Sequence, residues 1–123
     1  MPVIQLDDAE VFPAHGSTFH SYVSSRRGSK ELCAWRLTVP AGQIGVAHRP
    51  SREEVLLVLD GELTVGLDGV QEPAGAGTVI VVPAGAEVRI DGGATESTAW
   101  VTTTPGLQAT TADGAVITPP WAQ

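Results

Sequence analysis

His48 and Glu54 are the residues of this chain whose types and spacing most plainly allow chemistry. Histidine ordinarily exchanges a proton near neutrality, and imidazole and carboxylate are both ligands for divalent metals. The two lie in the stretch Gly42 to Gly61, which reads Gly-Gln-Ile-Gly-Val-Ala-His-Arg-Pro-Ser-Arg-Glu-Glu-Val-Leu-Leu-Val-Leu-Asp-Gly. In a strand, residues two apart share a face, so His48 and position 50 point the same way, and Glu54 returns to that face after a short turn. Two imidazoles and a carboxylate so placed would hold a divalent metal, with a fourth ligand from a neighbouring strand. Position 50 is Pro50, which leaves a gap in that set.

The elements that must position these residues are short. Glycine and proline recur so densely that no run free of both exceeds eleven residues, which leaves little room for helices. Between them lie segments rich in valine, isoleucine, leucine, threonine and aromatics: Val3 to Leu6, Phe19 to Val23, Leu32 to Val39, Val55 to Leu59, Glu62 to Leu67, Thr78 to Val82, Glu87 to Ile90, Ser97 to Thr103 and Ala115 to Thr118. This pattern predicts an all-β sandwich or barrel in one domain, residues 1–123. Asp60-Gly61 and Asp68-Gly69 suit two-residue hairpin turns and predict a three-stranded meander. Ser51-Arg52-Glu53-Glu54 has the spacing of a capping box, but the run after it is short, partly β-branched and closed by a hairpin dipeptide, so a strand is expected. Glu72 to Gly77 reads as a loop, and Pro119-Pro120 bars helix or central strand near Trp121, which is expected to dock on the barrel or on a partner chain.

Composition excludes several function classes. The single cysteine, Cys33, rules out an intramolecular disulfide, and the net charge of −7 with dispersed basic residues argues against nucleic acid. No apolar run is long enough to cross a bilayer, and the N-terminal residues lack a secretory signal pattern, so a cytoplasmic location is expected.

The spacing around the two site residues resembles the cupins, small antiparallel jelly-roll barrels. Their first motif runs glycine, five residues, His-x-His, three or four residues, glutamate, six residues, glycine; Gly42, His48, Glu54 and Gly61 match it, with Pro50 at the second histidine. Their second runs glycine, five residues, Pro-x-Gly, two residues, histidine, three residues, asparagine; Gly77, Pro83 and Gly85 match, with Val88 at the histidine and Gly92 at the asparagine. The resemblance implies a single cupin barrel with motif 1 at 42–61 and motif 2 at 77–92, a cavity for a small organic molecule, and a homodimer. Metal-binding cupins draw three histidines and one glutamate from these motifs, and only His48 and Glu54 carry over. The resemblance therefore implies a degenerate site with no metal expected; any divalent transition metal would need His48, Glu54 and an additional ligand such as His15, His20 or Cys33.

Three functions fit these residues. The leading expectation is a metal-independent isomerase, epimerase or cyclase with His48 as acid or base and Glu54 orienting it. The second is a non-catalytic ligand-binding or regulatory module in which His48 and Glu54 form a residual hydrogen-bonded pair. The third is a dioxygenase-like metalloenzyme with non-standard ligands. Pro50 and Val88 would line the pocket floor, and Trp35 and Trp100 either pack in the core or an interface or stack on a planar ligand. Arg36 would bind a carboxylate if its face of the strand points inward, and Tyr22 is a candidate second acid at the mouth.

Overall fold

A computed structural model describes residues 3–123. In chain order the strands are β1 (Glu10–Ala14), β2 (Ser17–Val23), β3 (Cys33–Val39), β4 (His48–Pro50), β5 (Glu54–Asp60), β6 (Glu62–Leu67), β7 (Val70–Gly75), β8 (Val79–Val82), β9 (Val88–Gly92), β10 (Ser97–Thr103), β11 (Ala109–Thr111) and β12 (Val116–Ile117). They form two six-stranded antiparallel sheets, ordered β1-β2-β3-β10-β5-β8 and β12-β11-β4-β9-β6-β7. The jelly roll is thus a sandwich, and among the described residues no ladder closes it into a barrel. Alternation along the strands sends one set of side chains between the sheets. Leu63, Val58, Val82 and Val88 are almost wholly buried there, and each contributes about 1.5–3 kcal/mol by leaving water.

The Asp68-Gly69 hairpin forms as expected, with φ of 49° and 85° joining Leu67 to its partner Val70. The meander does not. β5 pairs with β10 and β8, whereas β6 pairs with β7 and β9, so Asp60-Gly61 carries the chain from one sheet to the other. Ser97 fixes this crossing, because its hydroxyl accepts from the Glu62 N–H at 3.0 Å and donates to the Glu62 carbonyl at 2.9 Å. Gly61 is required beside it. Its φ is +75°, and a Cβ would collide with the Ser97 hydroxyl and the Glu96 carbonyl.

Three further expectations are corrected. Val3 to Leu6 is not a strand: Leu6–Asp8 forms a 3-10 turn, capped by the Asp8 carboxylate accepting from the Gln5 N–H at 2.9 Å. The segment from Glu72 to Gly77 is not wholly loop, because β7 runs to Gly75; β7 is an edge strand, where Pro73 costs no interior ladder bond. Strands β1 and β11 form where no strand was expected. β1 is held by a second tight turn at His15-Gly16, whose φ values are 53° and 79°.

Near the C-terminus the chain folds into a 3-10 turn, Pro120–Ala122, that packs on β1, β2 and β3. Trp121 stacks on Phe19 with ring centroids 3.7 Å apart and planes 11° from parallel. Its carbonyl accepts a 2.7 Å hydrogen bond from the buried Ser21 hydroxyl, and the Ala122 carbonyl accepts from the Cys33 thiol at 3.5 Å. Trp121 docks on its own domain.

Candidate functional site

The two sheets part to leave a cavity of about 130 Å³. His48 and Glu54 both line it, but from opposite walls. β4 belongs to one sheet and β5 to the other, so the short turn between them crosses the sandwich and the two side chains reach the cavity from different sheets. Sheet interiors lie about 10 Å apart, which explains why no hydrogen bond or ion pair joins Glu54 to His48 among the described residues.

In β4 the inward residues are His48 and Pro50. The register sets Val88 of β9 opposite His48, with Thr111 of β11 on its other flank, and Ala109 opposite Pro50. The His48 ring is oriented by its own strand. Its Nδ1 donates to the Val46 carbonyl, 2.8 Å away; since a carbonyl only accepts, Nδ1 carries the hydrogen and Nε2 keeps its lone pair in the neutral ring. The role expected of Glu54, orienting the histidine, thus falls to a backbone oxygen.

Glu54 leads the inward series Glu54, Leu56, Val58 of β5 and is 7% exposed. Burial alone pushes its carboxyl up from 4.5 to about 7. A lone carboxyl in an apolar chamber can hold a proton or release it near neutrality, which is the property proton transfer at carbon requires.

Trp35, Pro50 and Val88 line the cavity. Arg36, Trp100 and Tyr22 do not, because β2, β3 and β10 turn Phe19, Trp35, Leu37, Ala99 and Val101 inward and send these three to the outer face of the sheet. There Trp100 pairs across the ladders with Arg36 and Leu57 and packs on Tyr22 at 5.6 Å, while the Tyr22 hydroxyl donates to the Leu6 carbonyl at 3.1 Å. Phe19 and Trp121 form an aromatic wall that no motif marked. The strand alternation of Phe19 with Ser21 and the isolated aromatic of the Pro-Pro-Trp tail were the available signals.

The donor set does not suit a metal. His15 reaches the rim, His20 lies on the outer face opposite Arg36, and Cys33 is buried beneath the Pro120–Ala122 turn. Among the described residues no three His, Cys, Asp or Glu side chains cluster for an ion, and Pro50 and Val88 occupy the inward positions beside His48. Below His48, the loop Gly42 to Ala47 is tied to β9 by Asp91, whose carboxylate accepts from the Gly45 N–H at 2.8 Å and from Arg89 at 2.7 Å. Arg89 is thereby engaged away from the cavity.

A family model described as cupin domain matches residues 35–103. Over 59 residues, 46% of this chain, the sequence is 44% identical to part of endoribonuclease YbeY of Myxococcus xanthus, a stretch that spans 20% of that protein. Solved structures share the fold at low identity. The polyketide cyclase RemF from Streptomyces resistomycificus superposes with a TM-score of 0.76 at 18% identity, covering 87% of this chain and 83% of that one. An RmlC-like cupin from Shewanella frigidimarina gives 0.72 at 22%, covering 83% and 88%. Salicylate 1,2-dioxygenase from Pseudaminobacter salicylatoxidans gives 0.66 at 19%, covering 73% of this chain and 26% of that one.

Proposed function

The chain belongs to the cupin family, and on that premise we propose that its cavity performs metal-independent proton transfer on a small organic molecule, as an isomerase, epimerase or cyclase does. The observation that carries this reading is Glu54, a buried carboxyl with no counter-ion among the described residues, lining the same apolar chamber as His48, whose Nδ1 is held by a backbone carbonyl. The fold likeness to a polyketide cyclase is in keeping with it.

In the proposed step the Glu54 carboxylate removes a proton from carbon beside a carbonyl. The C–H electron pair becomes the double bond of an enolate, and His48 on the opposite wall, entering the step as the imidazolium with a proton on Nε2, returns that proton to a different atom or face; exchange with solvent then moves the proton left on Glu54 back to Nε2 before the next turnover. Nothing is oxidised or reduced, and water is kept out by the apolar walls. This differs from a dioxygenase-like scheme, which would need a metal that the donor set does not suit.

The test is solvent deuterium exchange into a panel of small aryl and cyclic ketones, with chelator-treated protein, followed by NMR. Exchange catalysed by wild type and lost in both Glu54→Gln and His48→Gln supports the proposal. Saturable binding with no exchange for any ketone overturns it in favour of a non-catalytic binding module, and exchange restored only by added metal overturns the metal-independent scheme.

We also propose a second copy of the chain as partner. The outer face of the first sheet leaves Val55, Leu57, Leu59, Val79 and Val81 exposed on the adjacent strands β5 and β8, an apolar patch of the kind that self-association covers.

A further inference from the structure

The walls of the cavity restrict what charge a ligand can carry. Among the described residues, its titratable lining groups are His15 at the rim, His48 and Glu54, and no lysine or arginine faces it. Three guanidinium groups on neighbouring strands are directed away from it: Arg36 is on the outer face, Arg89 holds Asp91, and Arg49 donates to the Gly85 carbonyl. A ligand carboxylate or phosphate would enter without a fixed cation and would meet the Glu54 carboxyl. An ammonium ligand is no better served. It brings three N–H donors, whereas the side-chain acceptors of the lining, the Glu54 carboxyl, His48 Nε2 and the Ser17 and Thr111 hydroxyls, are divided between the two sheets.

What the walls do offer is ring-sized apolar space. Phe19, Trp35 and Trp121 supply aromatic surface, and Leu37, Leu56 and Val101 the remainder. The volume of about 130 Å³ is close to that of engineered apolar cavities of about 150 Å³ that take up benzene. Trp35, 3% exposed, is a fixed aromatic residue of the cavity wall. A neutral oxygen is the group that Glu54 can meet in either protonation state without added charge, because a carbonyl accepts from the protonated carboxyl and a hydroxyl donates to the carboxylate.

We infer that the cavity selects an uncharged, one-ring molecule bearing a carbonyl or hydroxyl oxygen, and that Glu54 serves as the charge filter excluding anions. The inference rests on the cavity being the ligand site, and it names the class of ligand that site takes. It requires neither turnover nor a particular reaction.

Three probes of one shape separate the possibilities: acetophenone, benzoate and benzylamine, titrated at pH 8 into wild type and Glu54→Gln, with Kd read by NMR and the Trp35 indole N–H followed as a local reporter. Wild type is expected to bind acetophenone at least tenfold more tightly than benzoate, with the Trp35 resonance moving on saturation. Glu54→Gln is expected to narrow that gap to threefold or less, chiefly by admitting benzoate. Equal binding of benzoate and acetophenone by wild type, or a gap that Glu54→Gln leaves unchanged, overturns the charge filter while leaving the cavity as a ligand site. Benzylamine binding more tightly than acetophenone overturns the neutral class in favour of a cation site. Binding of none of the three, or binding that leaves Trp35 unmoved, overturns both this inference and the cavity as the place where ring ligands bind.

Discussion

Replacing Glu54 with glutamine removes an ionisation that the fold resists. Burial lifts the carboxyl from 4.5 to about 7, and each unit corresponds to about 1.4 kcal/mol, so ionising Glu54 in the native state costs roughly 3 kcal/mol relative to the unfolded chain. Below about 4.5 both states hold the proton and nothing is lost. Between about 4.5 and about 7 the unfolded chain releases it while the native state retains it, so native stability falls as pH rises. Above about 7 the penalty is complete. Glutamine keeps the neutral form throughout. Glu54→Gln should therefore match wild type at pH 4 and exceed it by roughly 3 kcal/mol at pH 8. Urea unfolding of both proteins at pH 4, 6 and 8 measures the difference. His48 on the facing wall and His15 at the rim are the other titratable groups of the cavity and are common to both proteins, so most of their contribution cancels. A difference that does not vary with pH, or a wild type that is the more stable at pH 8, would refute the reasoning, because it would mean that the ionised carboxylate has a partner.

Other outcomes follow from the same geometry. The double variant Pro50→His/Val88→His places two imidazoles beside His48 on the inward face, opposite Glu54, and should retain one equivalent of zinc or nickel through dialysis where wild type retains none; metal analysis reads it, and an empty variant would show that these positions do not converge. Trp121→Ala loses the stack on Phe19 and the wall beneath it, and should lower stability by about 3 kcal/mol in denaturant unfolding, with a loss under 1 kcal/mol contradicting the placement. Gly45→Ala should cost about 1–3 kcal/mol, since a Cβ there would collide with the Ile90 carbonyl; an unchanged unfolding midpoint would contradict that close approach. Leu57→Lys, on the exposed face of β5, should shift a dimer to monomer in light scattering with at least a tenfold weaker association, and an unaltered dimer would place the interface elsewhere.

Much of the fold was legible because its signals are local. Asp68-Gly69 needs only its own backbone preferences to make a hairpin, and Gly42, Gly61, Gly77 and Gly85, all with positive φ, lie where the spacing matched the cupin pattern. The Asp60-Gly61 turn shows where local reading ends. The same dipeptide chemistry serves a hairpin or a step between sheets, and the choice was made by Ser97, a residue distant in sequence that bonds both polar backbone groups of Glu62. Inward and outward faces were legible only as alternatives. Alternation grouped Trp35 with Leu37 and Arg36 with Thr38, but the side that met the other sheet depended on the opposing β-strands. Arg36, Trp100 and Tyr22 were misplaced for that reason. Spacing aimed His48 and Glu54 at a common cavity, which both line, yet their separation onto opposing sheets follows from topology. The aromatic wall of Phe19 and Trp121 joins residues 19 and 121, a contact that no local pattern encodes.

The central claim is that one bound molecule meets Glu54 and His48 at once from opposite walls. Its most direct measurement is an NMR titration with acetophenone, following the Glu54 carboxyl carbon and the His48 ring nitrogens in the same sample. Both sets of resonances should move and saturate with a single Kd, and Nε2 of His48 should move more than Nδ1, which the Val46 carbonyl already holds. Movement at only one of the two residues, or two different dissociation constants, would contradict a shared site.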